Sequence, residues 1–405
     1  MPMSTRSRLA IAAVMYSPNL GDGAIAVCMD QAVRQHDPST EPAWIDLAGR
    51  ADIPRTYSPL RHNLLQLLDL LPPPVDQLAG EQIIRHQVRA RLKPRLEHIL
   101  PATSAILVGG GQLFSDAHMN FPVKLAELGT QAGARQIPMA IHGVGVAKNW
   151  RRRAAVLFSD LLDSSQLMSI CVRDTASRDN LERLVKDHGL RRSTVDIRVA
   201  PDPAFMAAET FGLNAAGNET GRIGLGVTHP AALHAHGDYA RVSERDAILS
   251  LAELASNLIA CGFCPVLFTN GAFEDEAFLA KALNATAFEA LEGRVEVAPA
   301  PTSPRMLAQS IAGFDGVIAH RLHANILSYA LGGVPVGLAW DAKMHGFFGL
   351  IGETGLLQQG ASPDASRAVK SLQDGLKRRT DMRQRARELS QAARSGVLES
   401  LNSVC

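Results

Sequence analysis

Asp315-Gly-Val-Ile-Ala-His320-Arg321-Leu-His323-Ala-Asn-Ile-Leu-Ser-Tyr-Ala-Leu-Gly-Gly-Val-Pro335-Val-Gly-Leu-Ala339 reads as strand, helix and strand in succession. Residues 316–319 and 335–339 are short apolar runs bounded by glycine or polar residues, as buried strands are. The 321–331 segment between them has the length of a helix of about three turns. A helical crossover between two strands makes them parallel. The alternation continues outward. Upstream lie apolar runs at 222–228, 265–269 and 295–298, with helical stretches at 244–260, 274–285 and 304–313, and a further helix is read at 365–398. The first half repeats the scheme, with strands at 9–16, 43–47, 105–108, 138–142, 168–172 and 196–200 and helices such as 23–35 and 174–187. Residues 207–221 are polar, aperiodic and contain Gly and Asn, so they read as a linker. The expected architecture is α/β, with two Rossmann-like doubly wound domains facing across a cleft. The expected domains are 1–207, 222–363 and a C-terminal helix in 364–405 that packs back on the first.

The 405 residues are 46% apolar and 20% charged, enough for two cores at the usual domain size of roughly 100–200 residues. Lys plus Arg number 41 and Asp plus Glu 40, a net charge of +1 that excludes the basic excess of a general nucleic-acid binder. The apolar content excludes a disordered chain. No apolar run approaches the ~18 residues of a membrane span. Arg6 and Arg8 precede an apolar run, as in a signal peptide, but Ser17-Pro18-Asn19 offers no small-x-small cleavage site. We therefore read 9–16 as the first buried strand and expect a cytoplasmic protein. Five cysteines, mostly in apolar stretches, fit reduced core residues. The Cys261-Gly-Phe-Cys264 pair lies between a helix end and a strand rather than opening a helix, so it reads as structural.

Ligands of open parallel sheets bind beyond the carboxyl ends of the strands. After 316–319 come His320, Arg321 and His323, in the first turn of a helix. An arginine there faces the positive end of the helix dipole, a repulsion that an anionic ligand offsets. His323 is a candidate general acid or base, or a structural histidine bonded to a carbonyl. No acid or cysteine lies close in sequence, so no metal is expected. After 335–339 come Asp341 and Lys343; Lys343 contacts a phosphate or pairs with Asp341. In the first half, the same edge carries Asn19, Gly21 and Asp22, then Gly109-Gly110-Gly111, His142-Gly-Val-Gly145, Arg173-Asp174, and Asp202 between two prolines. The triple glycine lacks the Gly-Lys-Ser/Thr of a P-loop and the third spaced glycine of a dinucleotide fingerprint. It makes a tight turn or lets an anion approach backbone N–H groups. Asp174 is placed to cap the next helix, and Arg173 pairs with it or reaches for a ligand carboxylate or phosphate.

In their order, these motifs resemble the polysaccharide pyruvyltransferase family. The resemblance runs through Asn19-Leu-Gly-Asp22, Gly109-Gly-Gly-Gln-Leu-Phe-Ser-Asp116, His142-Gly-Val-Gly145, Val172-Arg-Asp174 with Ser177, Pro201-Asp202-Pro-Ala-Phe205, Arg321-Leu-His323-Ala, and Gly333-Val-Pro335 leading to Asp341-Ala-Lys343. It spans about residues 9–350. His320 stands where the family usually has a small residue, and His142 where small or apolar residues are common. The resemblance implies the two-Rossmann arrangement of B-type glycosyltransferases and phosphoenolpyruvate as donor. It further implies a sugar diol as acceptor, a pyruvate ketal as product, and no metal, nicotinamide or flavin cofactor. The positions of Arg173, Arg321 and His323 would serve the donor, the arginines as anion clamps and His323 as acid/base. Asn19, Gly21, Asp22, Gly110, Gly111, His142, Asp202, His320, Asp341 and Lys343 would line the substrate site.

Two rivals remain. One is a glycosyltransferase using a nucleotide sugar; such enzymes usually hold the donor ribose with a glutamate in the late helix, and 322–331 contains no acid. The other is a non-catalytic sugar- or anion-binding protein. The basic residues Lys370, Lys377, Arg378, Arg379, Arg383, Arg385, Arg387 and Arg394 form a solvated helix face or dock to an anionic inner-membrane surface carrying a lipid-linked acceptor. Residues 50–80, Pro-rich and irregular, are the candidate acceptor loops.

Overall fold

The computed structural model describes residues 8–54, 72, 75–190, 196–213, 220–234, 242–340, 342–359 and 363–404. Among the described residues, twelve strands form two wholly parallel six-stranded sheets. The first contains β1 (Leu9–Ala13), β2 (Ala43–Asp46), β3 (Ala105–Gly109), β4 (Met139–Val144), β5 (Leu167–Val172) and β6 (Ile197–Val199), in the order β2-β1-β3-β4-β5-β6. The second contains β7 (Arg222–Gly226), β8 (Cys264–Phe268), β9 (Glu296–Val297), β10 (Gly316–Ala319), β11 (Val334–Leu338) and β12 (Leu357–Gln358), in the order β12-β11-β10-β7-β8-β9. β1, β3, β4, β10 and β11 are buried along their whole length, as strands covered by helices on both faces must be.

Strand order reverses between β1 and β3 in one sheet and between β7 and β10 in the other. The flanking loops diverge at such a switch point and leave a crevice for ligand. The loops after β1, β3, β7 and β10 carry Asn19–Asp22, Gly110–Gly111, Thr228–His229 and His320–His323.

By contacts the chain divides into two units. One holds the residues up to Ser17, Ile25–Pro203 and Ala392 onward; the other holds Pro18–Ala24 and Ala204–Gln391. In the first unit the C-terminal helix is tied to the sheet by several bonds. Ser400 Oγ lies 2.9 Å from His142 Nδ1, Arg198 donates to Glu399 at 2.6 Å, and Ser169 and Ser403 hydroxyls are 2.7 Å apart. Gly396 lets that helix lie against Ala200, where an added Cβ would collide. In the second unit, buried Asp315 accepts from Thr220 and Gly221 backbone N–H groups at 2.8 and 2.7 Å and from Arg379 at 2.9 Å.

Several expectations shift. The first helix begins at Leu20 rather than 23, which puts Gly21 and Asp22 inside its first turn. The supposed linker opens with a helix, Ala207–Phe211, ended by left-handed Gly212 at φ 63°. The long C-terminal helix is two, Ala365–Lys377 and Arg379–Asn402. Part of the basic run is consumed there: Arg378 pairs with Glu353, while Arg379 and Arg383 both donate to Gly332 O just past the helix Leu322–Ala330. Cations at that end suit the helix dipole. Of the other basic stretches, Arg151 pairs with Asp76, and buried Glu81 takes both Arg85 and Arg153. Cys261 closes the helix Glu244–Ala260, Cys264 opens β8, and both are free thiols. Among the described residues, no helix is long and apolar enough to cross a membrane.

Candidate active site

The second unit gathers most of the candidate side chains. Arg321 is the N-cap of the helix Leu322–Ala330, at φ −70° and ψ 121°, so its backbone has not yet turned helical. Its guanidinium does not lean on its own helix. Nε and Nη2 donate to Asp275 Oδ2 at 3.1 and 2.7 Å. Asp275, in the first turn of the helix Phe273–Leu283, is fully buried, and its Oδ1 accepts the His229 backbone N–H at 2.8 Å. One carboxylate therefore ties together the loop after β7, the loop after β10 and a third helix. Burial pushes the Asp275 carboxyl above its ordinary value, against the pull of Arg321. Burial alone would weaken the Arg321 charge, but the Asp275 carboxylate outweighs it and raises the guanidinium. Asp275 occupies the Nε–Nη2 edge, and among the described residues no acceptor takes Nη1.

His323 lies two residues on and is buried. Its Nδ1 is 3.5 Å from Asp22 Oδ1, and Gly21 packs directly on the ring. Asp22 is in turn held: Asn19 Nδ2 reaches Asp22 Oδ2 at 3.5 Å, and Asn270 Nδ2 reaches Asn19 Oδ1 at 3.4 Å. Leu20 N donates to Asn270 O at 2.9 Å, which pins the start of the first helix. The resemblance implies that Asn19, Gly21 and Asp22 are substrate contacts; in the structure Asn19 and Asp22 form a polar chain ending on His323, and Gly21 packs on its ring. A side chain at position 21 has no room. Gly21→Ala is expected to displace the His323 ring and cut activity by about 100-fold, the lower range for a mispositioned acid/base. The far-UV spectrum and melting midpoint should stay near wild type, and unchanged turnover would show that the ring position is unimportant.

His320 precedes Arg321 and is only partly exposed. Burial, with Arg321 beside it, lowers its pKa to about 4, so it is neutral at physiological pH. Its carbonyl accepts the Trp340 indole N–H at 2.6 Å, and Lys343 Nζ sits 5.4 Å from the Trp340 ring centroid. Lys343 is thus engaged with an aromatic face. Asp341, its alternative partner, lies outside the described residues.

The first unit holds a separate group. Arg173 is 6% exposed, bonded to Gln112 Oε1 at 3.2 Å and paired with Asp174 at 3.4 Å. Asp174 also caps its helix, accepting Ser177 N–H at 2.6 Å. A Cβ on Gly145 would fall 2.7 Å from the guanidinium, so Gly145 makes the space that Arg173 fills. Gly110 and Gly111 adopt φ of 79° and 73°, which only glycine holds without strain, and they lead into Gln112. The glycine loop and Arg173 therefore come together. His142 departs from the sequence reading. Its ring is fully buried against the C-terminal helix and bonded to Ser400 rather than turned toward the glycine loop. Burial, then Arg198, lowers its pKa to about 3. Asp202 is buried in the loop whose Pro203 packs on Gly143.

Asp275 is not among the sequence candidates, and Asn270 is read only as a residue at the ligand edge of its strand, without an assigned role. Asp275 sits in Phe273-Glu-Asp-Glu, where acids in a first turn read simply as a favourable helix start. Asp46 is a third case, at the end of β2. It is fully buried and accepts from the Tyr16 and Ala48 backbone and from Arg50 at 3.1 Å. Most of the proposed acceptor stretch beyond Arg50, residues 55–71 and 73–74, lies outside the described residues.

Two doubly wound parallel units, with charged and glycine loops at their switch points, define a Rossmann-like fold of the glycosyltransferase-B type. Solved structures agree at the level of fold. The putative UDP-N-acetylglucosamine 2-epimerase of Listeria monocytogenes is 11% identical, covering 99% of this chain and 96% of that one, at a TM-score of 0.54. A UDP-glucosyltransferase of Polygonum tinctorium is 12% identical over 98% of each chain, at 0.54. Phytolacca americana UGT2, complexed with UDP-2fluoro-glucose and pterostilbene, is 14% identical over 98% and 99%, at 0.51. Comparison with curated proteins finds no match. The family model for polysaccharide pyruvyl transferase matches residues 19–342, and the chain belongs to that family of transferases.

Proposed function

We propose that the protein transfers the enolpyruvyl group of phosphoenolpyruvate to two hydroxyls of a sugar, forming a pyruvate ketal on a polysaccharide or its precursor. One observation carries this reading. In a single unit, an arginine held by a buried carboxylate adjoins a histidine held beside a second carboxylate. Phosphoenolpyruvate bears a carboxylate and a phosphate and needs a cationic clamp; Arg321 is assigned to it. The methylene carbon gains a proton and becomes a methyl group, leaving oxocarbenium character at the neighbouring carbon. One sugar hydroxyl adds there and loses its proton, and the C–O bond to phosphate breaks with its electron pair going to phosphate. The second hydroxyl then adds and loses its proton. Of the two protons released, one replaces that given to the methylene and one leaves on phosphate. His323 is assigned the proton transfers.

Calorimetry with phosphoenolpyruvate, beside UDP- and GDP-sugars, tests the donor without knowledge of the acceptor. Saturable phosphoenolpyruvate binding is expected, lost in Arg321→Ala. His323→Ala should keep most of that affinity and lose about 100- to 10,000-fold in rate once an acceptor is found. Binding of a nucleotide sugar in place of phosphoenolpyruvate would assign the protein to the glycosyltransferases.

A further inference from the structure

At the switch point of the second sheet lies a pocket of about 530 Å³, its open mouth included. It adjoins the Arg321–Asp275 pair along three chains. Thr228 precedes His229, His320 precedes Arg321, and Phe278 follows Asp275 by about one helical turn. Its walls are aliphatic or aromatic, among them Leu225, Leu251, Leu254, Phe278, Ile318 and Leu338. No charged side chain lines it among the described residues. Three of the lining residues carry polar side chains, Thr228, Ser250 and His320. Thr228, 6% exposed, has no partner for Oγ1, and His320 has none for Nε2, among the described residues. Buried polar groups in folded proteins are nearly always bonded, and an orphan asks for an explanation. Here both orphans belong to residues that line one pocket, at the position where doubly wound sheets take ligands.

The occupant follows from what would satisfy this surface. A carboxylate or phosphate would be buried there without a cation. A plain alkyl group would leave both polar atoms unbonded. A bare sugar hydroxyl would waste the apolar wall. The group that fits is uncharged, ends in a small alkyl and carries both a donor and an acceptor. Thr228 can donate to a carbonyl, and neutral His320 can accept an N–H or donate, according to tautomer. We propose that the pocket receives the N-acyl group of an amino sugar, the acetamido methyl against the leucines and its amide between Thr228 and His320. This rests on the acceptor being a sugar. It makes the pocket a selector for acetamido sugars, placed next to the arginine assigned to the donor.

The test compares methyl glycosides of N-acetylglucosamine and N-acetylmannosamine with those of glucose and mannose, by saturation-transfer NMR and calorimetry on the full chain. At least one acetamido glycoside should bind about tenfold or more tighter than its neutral counterpart. Thr228→Val, equal in shape but lacking the hydroxyl, should erase that preference while leaving the melting midpoint unchanged or raised. Thr228→Ser should restore it. Equal binding of acetamido and neutral sugars to the wild-type protein overturns the proposal. So does a lowered melting midpoint in Thr228→Val with the preference intact, which would assign the hydroxyl to an internal partner such as a buried water. Phosphoenolpyruvate binding is measured on the same wild-type samples, so failure of the donor reading and failure of the pocket are separate results.

Discussion

Asp275→Ala is expected to remove phosphoenolpyruvate affinity about as fully as Arg321→Ala, although Asp275 is sealed from solvent. Both of its oxygens are in use, Oδ2 by the Arg321 fork and Oδ1 by the His229 N–H. Truncation leaves a guanidinium and an amide without acceptors in a buried setting. Removing one partner of such a pair costs about 3–5 kcal/mol, here toward the lower end because Arg321 retains 15% exposure. The same loss frees Arg321 from its orientation, and donor affinity should fall by roughly 100-fold or more. Asp275→Asn is no remedy. One end of its amide is a donor, which must face either the arginine or the His229 N–H. Calorimetry and melting curves decide the matter, with Asp275→Ala/Arg321→Ala as the control. If Asp275 acts through Arg321, the double variant binds no worse than Arg321→Ala alone. Wild-type affinity in Asp275→Ala would sink the assignment. Arg321→Ala carries its own signature. The buried Asp275 carboxyl, already raised above its ordinary value, loses the charge that restrained it. A raised carboxyl favours the fold below its unfolded value and gives up that contribution as pH climbs through the folded one. The variant should therefore lose stability, relative to wild type, as pH rises.

The strands were legible because buried parallel strands are short apolar runs, and β1, β3, β4, β10 and β11 are buried throughout. β12, two residues long, is too short to leave such a run. Sheet order is another matter. Periodicity shows that a strand exists and nothing of its neighbour, so the switch points could not be located from sequence. Arg321 and His323 are nonetheless legible as candidates from their position after a strand, since the loop beyond the carboxyl end is a property of one strand alone. Their supports were not legible. Asp275 is 46 residues from Arg321, and Asp22 is about 300 from His323; only the fold brings each pair together. His142 is placed elsewhere for the converse reason. It lies near the carboxyl end of β4, yet strand side chains alternate in direction, and this one faces Ser400, 258 residues away.

Acid should destabilise both units, each through one histidine. His142 is lowered to about 3, by burial first and Arg198 second, and His320 to about 4, by burial first and Arg321 second. Both start from an ordinary value of 6.5. A base whose folded pKa lies below its unfolded one keeps its contribution above the unfolded value and loses it as pH falls toward the folded value. Below 6.5 the unfolded chain takes up a proton at each position while the folded chain does not. Each histidine then withdraws about 1.4 kcal/mol per pH unit, or about 2 kcal/mol between neutrality and pH 5. Carboxylates at their ordinary values barely titrate in that interval, so melting curves from pH 7.5 to 5, taken as differences between wild type and variant, read the effect of each ring. His142→Asn and His320→Asn should each flatten the acid limb, and the double variant should flatten it most. Curves parallel to wild type would show that neither ring is held neutral by the fold. The two rings have different consequences. Protonated His142 breaks with an interior that contains the Ser400 contact, so the C-terminal helix should loosen first in the first unit. Protonated His320 would set a second cation beside Arg321, whose carboxylate partner Asp275 is already shared with the His229 N–H. The second unit should therefore lose the geometry of its anion clamp as it loses stability, and donor affinity should fall with the melting midpoint.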